Sequence, residues 1–243
     1  IPDSKFSTKS SERENVKPVS GSHIKTDASG VYWLREAEGK IPLFLIHPAE
    51  GGLEIYDALI AHLPDDLPCA VLTTSLLQSG EDLYVETLAN RYVEILLQLH
   101  PVGSWHVAAY GNGAWIAWEM AQILALQNRE FPTLAIIDAI PPRSAGFKGL
   151  LQAGLSIGKK KGQNPGIPTE QPEMASSYRA FEGPAKIHVL THSGMGAKGW
   201  KEFAPSAQAH EIKSTGSDLL EEPQVKFVAD FLSNRLRRTR PKI

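Results

Sequence analysis

HVAAYGNGAW, residues 106–115, is the stretch on which the fold turns. Its first half is a short apolar run. Gly111 and Gly113 then flank Asn112, and AWIAWEMAQILALQ (114–127) continues as a strongly apolar helix. A strand turning at glycine into a helix is a building unit of sheets covered by helices. The central residue of such a corner is held in a strained conformation at the top of the sheet. Here that residue is Gly111.

Working outward, the same rhythm repeats. IPLFLIHP (41–48), CAVLTTS (69–75), TLAIIDAI (133–140), KIHVLTH (186–192) and AQAHEI (207–212) read as strands, the first four as short apolar runs bounded by turn residues. Between them EIYDALIAHL (54–63) has helical spacing. EDLYVETLANRYVEILLQLH (81–100) lines up Leu88, Tyr92, Ile95, Leu96 and Leu99 along one face. EPQVKFVADFLSNRL (222–236) closes the pattern as a helix. Strands alternating with helices predict a mostly parallel sheet with helices on both faces. Ligands of such sheets bind at the C-terminal edges of the strands.

Three segments fall outside this rhythm. Residues 1–30 are rich in Ser, Lys, Thr and Glu and read as a flexible tether. GVYWLREA follows as a first strand or hairpin, opening a domain over 31–238. Residues 144–180 carry one short apolar segment and a basic, Gly/Pro-rich stretch, expected to form a small lid. Residues 239–243 are a basic tail.

Composition narrows the classes of function. The 243 residues suit one domain with a sizeable core, and 42% hydrophobic residues is ordinary for a globular protein. A net charge of −2 gives no general pull toward nucleic acid. No apolar run reaches membrane-spanning length. IPDSKFSTKS at the start lacks Met and an apolar signal core, so the sequence reads as a piece of a longer, cytoplasmic chain. Cys69 is the single cysteine, which excludes an internal disulfide; it lies in an apolar run and reads as a buried strand residue.

Four motifs in order resemble the thioesterase domains of non-ribosomal peptide and polyketide synthases, members of the α/β-hydrolase fold. PLFLIHPAEGGLEIYDALIAHL resembles the family's first strand, its His-Pro-Ala-Gly-Gly loop and first helix. WHVAAYGNGAWIAWEMA resembles the segment with Gly-Trp-Ser-Phe-Gly-Gly and a helix ending Glu-Met-Ala. AIIDAIPP resembles the strand whose terminal Asp orients the catalytic His, and AHEIKSTGSDLLEEPQV the region with Pro-Gly-Asp-His. The resemblance spans about residues 41–236.

It implies a Ser-His-Asp site, yet two of the three groups are absent. Gly111 stands for the serine, Gly216 for the histidine and Asp138 for the aspartate. Glycine offers no group to attack or to take a proton, so acyl-enzyme hydrolysis is not expected. The resemblance also implies backbone oxyanion donors at Ala49 and Asn112, which survive side-chain change. Glu50, beside that loop, would repel a developing oxyanion or is simply a solvated loop residue. Asp138 reads as an acid without its histidine, either an inert cap at a strand end or a general acid/base. Tyr110, before the corner, is a further candidate. His192, toward the C-terminal edge of its strand, is the best replacement base. His47, His106, His188 and His210 read as structural.

The expectation is a pseudo-thioesterase that binds or docks a carrier-tethered acyl or peptidyl chain, with no bound cofactor of its own. The alternative is a repurposed enzyme promoting non-covalent cyclisation, condensation or release. The implied partners are an acyl or peptidyl carrier protein with its phosphopantetheine arm and neighbouring synthase domains, with no nucleic acid and no membrane. The basic GKKKG (158–162) and RLRRTRPK (235–242) are candidate contacts for an acidic carrier, or solvated lid and tail.

Overall fold

The computed structural model of the chain describes residues 25–26, 30–37, 40–48, 53–76, 84–99, 101, 105–144, 178–192, 195–212 and 218–238. The expected tether and lid lie almost wholly outside them, and the basic tail lies wholly outside.

An eight-stranded sheet has the order β1-β2-β4-β3-β5-β6-β9-β10. Its strands are β1 (Lys25–Thr26), β2 (Tyr32–Arg35), β3 (Leu43–Ile46), β4 (Cys69–Leu72), β5 (His106–Tyr110), β6 (Thr133–Ile137), β9 (His188–Thr191) and β10 (Gln208–Glu211). Only the β1–β2 and β2–β4 pairs are antiparallel; the rest are parallel. The sheet thus starts at Lys25, inside the stretch read as tether.

The central strands are uninterrupted apolar runs because both faces are covered. Alternation along each strand sorts the side chains. Phe44, Ile46, Val107, Ala109, Leu134 and Ile136 enter one core with helices α2 (Val85–Leu99) and α3 (Gly113–Leu126). Leu43, Leu45, Ala108, Ala135 and Ile137 enter the other with α1 (Asp57–His62) and α5 (Gln224–Arg238). On α2, Leu88, Tyr92, Ile95 and Leu96 are buried as the spacing predicts, while Leu99 at the helix end is half-buried. Cys69 is fully buried in β4. Edge strand β10 keeps Gln208 and Glu211 exposed, as an edge facing water requires.

Two further features escape the periodic reading. A short helix α4 (Met195–Trp200) follows β9. The strands β7 (Arg143–Ser144) and β8 (Arg179–Ala180) pair in parallel as a separate two-stranded ribbon. It joins the two ends of the excursion expected to hold the lid.

Candidate active site

The corner after β5 is built by its neighbours. Tyr110 pairs with Ile137 in register, and the Gly111 amide donates to the Ile137 carbonyl at 3.1 Å. Gly111 has φ +55°, a left-handed conformation glycine adopts without side-chain strain. A Cβ added there would meet no atom within 4 Å. The corner therefore opens into free space. Gly113 is the opposite case: its Cβ would lie 2.5 Å from the His47 carbonyl oxygen and 3.0 Å from that of Ile46. Absence of a side chain at 113 lets α3 start hard against the end of β3.

A buried phenol ties these strand ends together. Tyr56 donates to the Ile46 carbonyl at 2.6 Å and accepts from the Tyr110 amide at 3.3 Å. Burial pushes its pKa well above the ordinary value, so it remains a donor. Asn112 stands at the start of α3 with no side-chain capping bond. Backbone bonds make the first turn: the Ala114 amide donates to the Gly111 carbonyl at 3.2 Å and the Trp115 amide to that of Asn112 at 3.1 Å.

Asp138 ends β6, beside the corner. Its φ is +46°, unusual for a residue with a side chain and a mark of imposed geometry. Its amide donates to the Leu190 carbonyl at 2.9 Å, which locks it to β9. Its Oδ1 lies 2.9 Å from Nδ1 of His192. The expectation of an acid without a histidine is thereby corrected. β6 and β9 are neighbours in the sheet, although a long stretch of sequence separates them. The two atoms are in close contact without an aligned hydrogen bond. Burial raises the Asp138 carboxyl above its usual range, His192 opposes that rise, and the nearby Asp218 carboxylate adds to it.

Asp218 was not singled out from the sequence. Its Oδ2 accepts a hydrogen bond from the Tyr110 hydroxyl, and its Oδ1 accepts from the Leu220 amide at 2.9 Å. The second bond is an Asx turn, the one local signal that SDLL carried. Beyond Asp138 the chain is held by two indoles: Trp200 Nε1 donates to the Ala139 carbonyl at 2.9 Å and Trp115 Nε1 to that of Ile140 at 2.8 Å. Trp115 stacks on Tyr178 with ring centroids 6.2 Å apart, and Tyr178 donates to Glu119 at 2.9 Å.

Gly111, Asn112, Tyr110, Asp138 and His192 thus meet at the C-terminal edge of β5, β6 and β9. Ala49, Glu50 and Gly216 lie outside the described residues. His47 is buried, its Nδ1 2.7 Å from the Pro48 carbonyl oxygen. His188 and His210 touch each other and Phe231. A separate cavity of about 210 Å³, lined by Ala121, Arg129, Phe131, Leu134 and Lys186, reaches the start of β6, the end of the strand opposite Asp138. Among the described residues no cluster of three or more His, Cys, Asp or Glu could hold a metal, and no helix is long and apolar enough to cross a membrane.

Residues 41–155 match the family model described as Thioesterase domain. The chain is 36% identical over 111 residues to microperfuranone synthase of Emericella nidulans, covering 45% of this chain and 12% of that one. It is a thioesterase-like domain related to assembly-line synthases. An inactive atromentin synthetase of Paxillus involutus is 26% identical over 217 residues, 82% of this chain and 23% of the relative. A nonribosomal peptide synthetase of Aspergillus terreus is 30% identical over 208 residues, 78% and 22%. The chain therefore spans under a quarter of these relatives. The NocB thioesterase domain, solved as a covalent complex with a fluorophosphonate nocardicin G analogue, superposes with TM-score 0.61 at 23% identity over 85% of this chain and 99% of that one. The thioesterase-like domain has the α/β-hydrolase fold.

Proposed function

We propose that this thioesterase-like domain belongs to a cytoplasmic peptide or polyketide synthase and binds an acyl or peptidyl chain without ever forming an acyl-enzyme. The chain would arrive as a thioester on the phosphopantetheine arm of a carrier protein, with neighbouring synthase domains as the other partners. One observation carries the reading: the corner that would present a nucleophile has φ +55° and open space above it, but holds Gly111. The corner keeps its shape and lacks the attacking group. The relation to an inactive atromentin synthetase of Paxillus involutus is in keeping with it.

Intact-protein mass spectrometry after incubation with a fluorophosphonate or an acyl thioester tests this. Unchanged mass is expected, together with saturable binding of a carrier-tethered chain. An adduct one acyl or phosphonyl group heavier would overturn the reading. A second reading, an enzyme acting without a covalent intermediate, draws on the Asp138–His192 contact.

A further inference from the structure

Three adjacent strands finish at one level. The register pairs Tyr110 with Ile137 and Ile137 with Leu190, so Gly111, Asp138 and Thr191 come next on β5, β6 and β9, with His192 one residue further. Neighbouring strands are about 4.8 Å apart, which places His192 two strands from the empty corner with Asp138 between. Asp138 Oδ1 lies 2.9 Å from the imidazole Nδ1, in close contact without an aligned hydrogen bond. The other nitrogen, Nε2, has no hydrogen-bond partner among the described residues. The side chain is about one-third exposed, so Nε2 is reachable. The other acid nearby, Asp218, is occupied by Tyr110 and the Leu220 amide.

A carboxylate beside one imidazole nitrogen and a second nitrogen left to face substrate suit a general base: the nearby negative charge stabilises the imidazolium that forms. At the corner itself Gly111 supplies no nucleophile, and the place one would fill is open. We propose that His192, positioned by Asp138, is the general base for direct transfer of the tethered acyl group to an oxygen nucleophile not supplied by the protein. Water and a hydroxyl of the acyl chain share this chemistry. Nε2 takes the proton as that oxygen bonds to the thioester carbonyl carbon. The tetrahedral species then breaks its C–S bond, and the imidazolium returns the proton to the departing thiolate. Thioester plus water gives acid plus thiol; a hydroxyacyl thioester gives lactone plus thiol.

The inference rests on the acyl-binding reading above. It is tested with the whole chain and two N-acetylcysteamine thioesters, one with a terminal hydroxyl and one without, following thiol release and identifying products by mass. General-base assistance supplies about 10²–10⁴-fold, so thiol release should exceed the buffer rate by roughly that factor. Lactone would identify the chain hydroxyl as nucleophile, and acid would identify water. His192→Gln should fall to the buffer rate with an unchanged melting temperature. Asp138→Asn should lose part of the rate and shift the pH profile, which a purely structural role would not do. Wild-type release no faster than buffer, or full activity in a folded His192→Gln, overturns the proposal. Saturable binding without turnover would leave the acyl-binding reading standing, whereas a covalent adduct would remove both.

Discussion

Gly113 sits so close to His47 that a single added carbon would fall 2.5 Å from its carbonyl oxygen. The atom it would strike is backbone, so it cannot swing aside. Gly113→Ala should push the start of α3 off β3 and cost about 1–3 kcal/mol, the usual range for overpacking. Urea denaturation measures this directly. A variant within about 0.5 kcal/mol of wild type, the range of neutral surface changes, would show that the contact yields.

Gly111→Ser should behave differently. There is room for the side chain, so the cost is the left-handed backbone alone, about 1–2 kcal/mol. For a domain of this size that lowers the melting temperature by roughly 2–8 °C. The serine would stand two strands from His192. Fluorophosphonate should therefore label this variant, and adding His192→Gln should abolish the label. Labelling that survives the second change would mean that another group activates the serine.

Tyr110→Phe removes the donor to Asp218 and should cost about 1.5–3 kcal/mol, as hydrogen bonds to charged groups do. In a double-mutant cycle with Asp218→Asn the two losses should not add. Additive losses would show that the pair does not couple the end of β5 to the turn before α5.

The buried histidines set the response to acid. Burial drives His106 and His188 from an ordinary 6.5 to about 4. Below pH 6.5 the unfolded chain takes up their protons, and the fold does so only near 4. Their contribution to stability is complete above pH 6.5 and is lost as pH falls through that window. Asp138 has the opposite sign: its raised carboxyl contributes stability at low pH that is lost as pH rises. His188→Phe, which keeps ring contacts with His210 and Phe231, should flatten the loss between pH 6.5 and 4 in urea midpoints. An unchanged slope would place the titration elsewhere.

The central strands were legible because burial on both faces writes them as unbroken apolar runs. The corner at Gly111 was legible because a sharp turn between strand and helix leaves small residues behind. Local sequence carries none of the lateral neighbours. Asp138 meets His192 only because β9 docks beside β6 after an excursion of unrelated composition. Tyr56 looks like one more apolar position on its helix, and only the assembled sheet brings two backbone groups to its hydroxyl. Short α4 has too few turns to show a period.

The two indoles after Asp138 give the chain a fixed point. Trp200, fully buried, grips Ala139, and Trp115 grips Ile140, itself 78% exposed. A pull on the backbone arriving from residue 141 onward is taken up by two side chains rooted in different helices before it reaches the acid. Trp115→Phe should leave amide exchange at Asp138 slow, and only the pair with Trp200→Phe should quicken it. In a domain coupled to moving neighbours, the carboxylate would be insulated from traction.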